Sequence, residues 1–236
     1  MRRWVIGDIH GANKALIQCL DRSAFDTKND LLICLGDLCD RWPEVNKVFD
    51  TMLTVQNLVL LLGNHDEWAL DWFLHGKAPD IWLTQGGDKT RESYLRGIPQ
   101  RHMNLLKNSL LYFEMENKLF VHAGFDPHLD IKKQDRHTLL WDRSFIKKAL
   151  HYNRDGENHK LTSYDEVYLG HTPTLNFGQS QPMKVCEVYL IDTGAGWKGG
   201  VLSMMHIDSK EYFQSDPVDH LYAGFESGEP WGDTNT

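Results

Sequence analysis

The sequence predicts an α/β protein with parallel strands, on two observations. Short apolar runs rich in Val, Ile and Leu end repeatedly in a polar, glycine-flanked cluster: Trp4-Val5-Ile6 into GDIHG, Leu31 to Leu35 into GDLCDR, and Leu58 to Leu62 into GNHDE. Unbroken apolar runs suit strands buried on both faces. Between the runs lie NKALIQCLDRSAF and PEVNKVFDTMLTVQ, with apolar residues near helical spacing. Each cluster is thus separated from the next by about the length of one β-α-β unit.

The elements follow in order. Pro43 suits the first turn of the second helix, where its missing N–H leaves no bond unmade. The first three strands lie parallel, so their polar ends stand side by side at one edge of a sheet. The segments WALDWFLHG, TRESYLRG and HMNLLKNSLLYF predict helix through residues 66 to 115. Four further strands are expected: Lys118 to Val121 running into HAG, Val167 to Leu169 into GHTPT, Val188 to Ile191 into DTGAG, and a closing strand within Gly200 to Ile207. With no Pro/Gly/Ser linker to divide the chain, one domain over residues 1–236 is expected, with a loosely held tail from residue 224.

Composition narrows the partners. The 236 residues are 41% hydrophobic and 25% charged, as in globular proteins that bury a full core. A formal net charge of -8 leaves no general basic face for holding nucleic acid through its phosphates. The four cysteines, Cys19, Cys34, Cys39 and Cys186, form no CxxC pair and read as reduced thiols. The apolar stretch behind MRR is too short for a signal peptide and no stretch reaches membrane-spanning length, so a cytoplasmic protein without a membrane partner is expected.

Open α/β sheets bind ligands beyond the carboxyl ends of their strands. At successive strand ends stand Asp8 and His10, Asp37 and Asp40, Asn64 and His65, His122, and His171. Oxygen and imidazole donors without cysteine suit Mn²⁺, Fe or Zn²⁺ rather than a structural zinc site. The set is large enough for two ions. Two cations roughly 3.5–4 Å apart can activate a water, hold phosphoryl oxygens and stabilise both attacking and leaving oxygens. A histidine can protonate the leaving oxygen, and Arg41 and Arg143 are candidates to grip the remaining ones. Alternatives stand beside these readings: Asp8 and Asp37 as ordinary helix caps, His122 and His171 as satisfied core histidines, Arg143 as half of a surface ion pair.

GDIHG, GDLCDR, GNHD, VHAG and GHTP, in that order and spacing, resemble the signature of the calcineurin-like metallophosphoesterases. Within them they are most similar to the phosphoprotein phosphatase branch of bacterial and phage Ser/Thr phosphatases and symmetrical diadenosine tetraphosphatases. The resemblance implies two mixed β-sheets packed as a sandwich between helices. It implies two divalent metal ions, Mn foremost and otherwise Fe or Zn. Asp8 and His10 would ligate the first, Asp37 bridge both, and Asn64, His122 and His171 ligate the second. It makes His65 the proton donor and Asp40 its orienting carboxylate. It places Arg41, Arg143 and Asn64 on the substrate phosphate, which a metal-bridging hydroxide attacks.

Two positions depart from the family pattern. The pattern GDxxDRG has Trp42 in place of its last glycine, with Pro43 following, and a residue before proline is pushed toward extended angles. Trp42 is expected either to wall the cleft for the leaving group or to pack under the next helix. Asp66 replaces a more usual Glu and is expected to support its loop. Asp192, in IDTGAG, is read as part of a close-packed backbone segment and not as a ligand. The Gly86-Gly87 pair would permit a hinge, so residues 76–101 are either a lid or a helical cap.

A Ser/Thr protein phosphatase, acting on a phosphoprotein or a small phosphorylated substrate, is the function expected. A symmetrical bis(5'-nucleosyl)-tetraphosphatase is the alternative, for which Lys132, Lys133, Arg136, Lys147 and Lys148 could supply a basic pocket. A non-catalytic scaffold is a third reading, against which stands the full set of candidate ligands and donors.

Overall fold

The computed structural model describes residues 1–154 and 160–225 and resolves the apolar runs into two five-stranded mixed sheets. In the first, β1 (Arg3–Ile6), β2 (Leu31–Cys34) and β3 (Asn57–Leu60) run parallel, and Val5 stands opposite Ile33, which stands opposite Val59. In the second, β4 (Tyr112–Met115) and β7 (Met183–Val185) lie antiparallel at the edges of a parallel trio, β5 (Lys118–Val121), β6 (Glu166–Leu169) and β8 (Val188–Leu190). The closing run forms β9 (Ser203–His206), antiparallel to β1, and β10 (Tyr212–Gln214) completes that sheet's edge.

Side-chain alternation explains why the strands read as unbroken apolar runs. On β1 and β2, Trp4, Ile6, Leu32 and Cys34 face the helices, whereas Val5 and Ile33 face the other sheet. On β5, β6 and β8 the outward residues pack in a second helix-side core, and Phe120, Tyr168 and Tyr189 point inward. These three rings stack face to face, with centroids 4.7 and 5.0 Å apart, and fill the space between the sheets.

Helices α1 (Asn13–Arg22) and α2 (Val45–Met52) make the crossovers of the first sheet. They bury Ala15, Leu16 and Cys19, and Val45, Val48, Phe49 and Met52, at the spacing of one helical face. Helix α3 (Asn64–His75) follows β3 and ends on Gly76, whose φ of 68° is the left-handed stop that glycine supplies. Beyond it, α4 (Asp80–Trp82) passes through a π-turn over Leu83–Gly87 into α5 (Asp88–Ser93), and α6 (Gln100–Lys107) follows. Helices α7 (Arg136–Trp141) and α8 (Ser144–Arg154) lie between β5 and β6, and α9 (Val218–Leu221) follows β10. No helix among the described residues is long and apolar enough to cross a membrane.

The expectation of helix through residue 115 needs correction. Tyr112 and Phe113 belong to β4, because the next residues, Glu116 and Asn117, both take left-handed backbone angles and turn the chain into a tight hairpin with β5. Residues 226–236 of the expected tail lie outside the described residues. Phe225, just before them, packs its ring 6.2 Å from that of Trp42.

Trp42 does not wall the cleft. It is fully buried in the helix-side core, stacked on Tyr222 at 5.3 Å, with its indole N–H donating to the Ala195 carbonyl at 2.7 Å. The left-handed angles of its loop fall on Asp40 and Arg41, with φ of 75° and 66°, so a residue constrained by the following proline is accommodated at position 42. Trp42 ties two loops together from beneath. Trp42→Ala should therefore lower stability by about 3–5 kcal/mol in urea unfolding, and an unchanged midpoint would refute this placement.

Candidate metal centre

Every loop that carries a candidate ligand leaves the carboxyl end of a strand, and packing of the two sheets brings these ends together. Neither Asp8 nor Asp37 caps the helix that follows it, for Ala12 and Glu44 hold those N-cap positions. The Asp8 carboxylate instead accepts the His171 backbone N–H, at 3.0 Å to Oδ2, across the interface between the sheets. Asp37 Oδ1 accepts the His65 backbone N–H at 3.0 Å. Both carboxylates need glycine opposite them: a Cβ on Gly170 would lie 2.3 Å from Asp8 Oδ1, and one on Gly63 would lie 2.0 Å from Asp37 Oδ1.

Asp37 is the common member of two groups of metal-competent side chains, one with His10 and His65, the other with Asp8 and His122. Within each group the donor atoms lie within 4.8 Å of one another. Its Oδ2 lies 3.6 Å from both His10 Nε2 and His122 Nε2. Asn64 joins the second group: its side-chain oxygen is 3.0 Å from His122 Nε2 and 2.9 Å from His171 Nδ1.

Hydrogen-bond directions favour a cation here. His122 Nδ1 lies 2.8 Å from the Leu35 carbonyl, and His10 Nδ1 lies 2.9 Å from that of Cys39. A carbonyl only accepts, so both Nδ1 atoms carry the proton. Burial pushes His122 down to about 3 and His10 well below the usual imidazole range, so both rings are neutral at pH 7. Their Nε2 lone pairs then face the Asn64 oxygen and the Asp37 carboxylate, donor atom against donor atom. Such an arrangement suits a divalent ion in between.

The carboxyls agree. Burial, reinforced by Asp192 and then Asp37, holds Asp8 well above the usual carboxylate range; burial and then Asp66 do the same to Asp37. Their cost is removed by a positive ion of their own. The residues present therefore fit divalent metal, with an oxygen and nitrogen donor set.

Around this cluster sit the other candidates. His65 Nδ1 is 2.6 Å from Asp40 Oδ2, and Asp40 is fully buried. Asp66 supports its loop as expected, accepting N–H groups from Leu38, Cys39 and Gly63. Arg41 lays its guanidinium 3.9 Å over the Trp197 ring, and its buried Nε has no hydrogen-bond partner among the described residues. Arg143 is exposed, yet its charge acts on His65, His122 and His171. Of the expected basic pocket, Arg136 is paired with Glu67 at 2.6 Å. Five residues of the site take left-handed backbone angles without being glycine: His10, Asp37, Asp40, Arg41 and His171. Strain of this kind collects at functional sites.

The sequence reading missed two members, Trp82 and Thr90; Asp192 lies beside the ligands in close-packed backbone, as expected, and in neither group around Asp37. Asp192 is buried, accepts the Gly194 N–H at 2.9 Å, and presses its charge on Asp8. Trp82 and Thr90 reach Asp40 from the segment 76–101, and no motif marks them.

Residues 1–218 match the calcineurin-like phosphoesterase family, and the chain belongs to it. A protein named Serine/threonine-protein phosphatase 2, from Escherichia coli (strain K12), is 41% identical over 205 residues, which span 81% of this chain and 87% of that one. A symmetrical bis(5'-nucleosyl)-tetraphosphatase from Klebsiella pneumoniae subsp. pneumoniae is 33% identical over 137 residues, 56% of this chain and 46% of its own. A crystal structure of a protein proposed to be a diadenosine tetraphosphatase superposes with a TM-score of 0.70 at 19% identity, covering 92% of this chain and 93% of that one; it shows the shared fold.

Metal binding should depend on pH with a definite sign. Asp8 and Asp37, the carboxyls that would ligate the ions, are held by burial well above the range they have in the unfolded chain. In the metal-free protein such groups contribute stability at low pH that is lost as pH rises through the folded values. The buried imidazoles act oppositely, their contribution being lost as pH falls below about 6.5. A cation must displace protons from the carboxyls but not from imidazoles that are already neutral. The rise in Tm on adding Mn²⁺ to chelator-stripped protein should therefore be larger at a pH of about 7.5 than at about 5.5. An equal or smaller rise at the higher pH would contradict this account.

Proposed function

We propose that the chain is a metal-dependent phosphomonoesterase that removes phosphate from serine and threonine side chains of proteins. The observation that carries the reading is the buried Asp40–His65 contact of 2.6 Å beside the cluster centred on Asp37. Similarity to the Escherichia coli Ser/Thr phosphatase along nearly the whole chain supports the choice of substrate. Asp8, His10, Asp37, Asn64, His122 and His171 would hold two divalent ions, Mn²⁺ in the first instance and Fe or Zn²⁺ otherwise. When bound, these ions supply an activated water and a Lewis-acid hold on the phosphoryl oxygens.

The chain's own groups do the rest. Arg41, stacked on Trp197 rather than paired with a carboxylate, keeps N–H groups free for the phosphate. Arg143 grips it from the exposed side, and Asn64 offers its amide N–H. As the P–O bond breaks, its electron pair stays on the leaving oxygen, which takes a proton from His65 Nε2. His65 gives this proton as the imidazolium, its charge held by the Asp40 carboxylate, and is left neutral with its remaining proton on Nδ1. The rim carries Trp68 and Trp141, in edge contact at 4.9 Å, between His65 and His171.

The test is phosphate release from a phosphoserine peptide, compared with nucleotide release from diadenosine tetraphosphate, by stripped protein resupplied with Mn²⁺. The peptide should turn over faster, and His65→Asn should lower its kcat roughly 10²- to 10⁴-fold while metal content is kept. Preferred cleavage of the dinucleotide to ADP would replace the reading with a tetraphosphatase. Turnover of neither substrate, with metal bound, would point to a scaffold.

A further inference from the structure

The segment joining α3 to α6 is neither a free lid nor a plain cap. Its Gly86-Gly87 pair is locked by contacts that no other residue would allow: a Cβ on Gly86 would lie 2.6 Å from the Arg41 backbone nitrogen, and one on Gly87 would lie 2.5 Å from the Trp82 ring. The Gly86 carbonyl accepts the Arg41 N–H at 3.1 Å. The kink folds α4 and α5 so that Trp82 and Thr90, both fully buried, converge on Asp40.

We infer that Trp82 and Thr90 are positioning residues of the proton donor, fixing Asp40 as an acceptor through both oxygens so that His65 directs its Nδ1–H at Asp40 and, as the imidazolium, its Nε2–H at the leaving group. The inference rests on the reading of His65 as that donor. The hydrogen-bond inventory carries it. An indole nitrogen can only donate, and Trp82 Nε1 donates to Asp40 Oδ2 at 2.8 Å. Thr90 Oγ1 accepts the Asp40 backbone N–H at 2.9 Å, so its own proton goes to Asp40 Oδ1, at 2.5 Å. Oδ2 also faces His65 Nδ1. The indole and hydroxyl donors stabilise the ionised carboxylate, which favours the proton on the imidazole side of the pair. Burial pushes the Asp40 carboxyl up, and these two donors oppose it. The carboxylate has no exposed surface, so bulk solvent does not reach it to replace either donor.

This role predicts a dependence on the leaving group. A serine alkoxide must be protonated as it departs, whereas p-nitrophenolate leaves without help. Thr90→Val removes the hydroxyl at nearly constant shape. It should lower kcat on a phosphoserine peptide about 10- to 100-fold, with KM, metal content and p-nitrophenyl phosphate turnover kept. Thr90→Ser should restore the peptide activity. Trp82→Phe, which keeps an aromatic ring and removes the donor, should show the same split and serves if Thr90→Val folds poorly. Equal losses on both substrates, or no loss on the peptide, would overturn the inference. His65→Asn, read on the same pair, separates the two layers. If it shows no leaving-group dependence, the donor assignment fails and the inference with it. If it does and neither Thr90→Val nor Trp82→Phe follows, only the inference fails.

Discussion

The rest of the site depends on the negative charge buried around Asp37. Asp8, Asp37, Asp40, Asp66 and Asp192 are all nearly or fully inaccessible, and burial holds His10, His122 and His171 neutral. A cluster of this kind is stable only when something compensates each carboxylate. Asp66 is compensated by three backbone N–H groups and Asp40 by an indole, a hydroxyl and an imidazole. Asp8 and Asp37 accept fewer bonds and face imidazole nitrogens, which is the arrangement a divalent cation completes.

The scaffold delivers these groups by repetition. Each sheet contains a parallel trio of strands, β1-β2-β3 at one side of the first and β5-β6-β8 in the middle of the second, and the loops at their carboxyl ends meet around Asp37. The loops leaving the first trio are knitted together by backbone bonds, among them those from Ile9 and His10 to the Asp37 carbonyl and from Leu61 to the Cys34 carbonyl. These bonds hold His10, Asp37, Asp40 and Arg41 in left-handed backbone angles that their side chains disfavour. Rigidity and strain are thus two aspects of one construction.

Two aromatic residues in the core of this fold act on the loops from behind. Trp42 joins the Asp40–Arg41 loop to Ala195, and the same 195–197 stretch presents Trp197 to the Arg41 guanidinium. Trp82, at the end of α4, supports Asp40. The substituted glycine of the GDxxDRG pattern and the tryptophan-bearing segment after α3 together make a housing for Asp40 and Arg41 that is built from large buried side chains.

The sequence by itself determined the α/β class and the parallel run of the first three strands, and it named the side chains that make up the groups around Asp37. It could do so because parallel strands buried on both faces read as apolar runs, and because each run ends in its functional residues within a few positions. The tertiary structure decided what depends on contact between distant segments. It turned Tyr112 and Phe113 into a strand through a hairpin turn at Glu116 and Asn117, neither of them glycine. It drew Trp42 into the core, where a tryptophan at a loop position carries no mark of burial. It brought Thr90, fifty residues away in sequence, against Asp40. A hydrogen bond across that separation has no periodicity and no spacing rule, since it exists only once α4 and α5 are folded against the Asp40 loop.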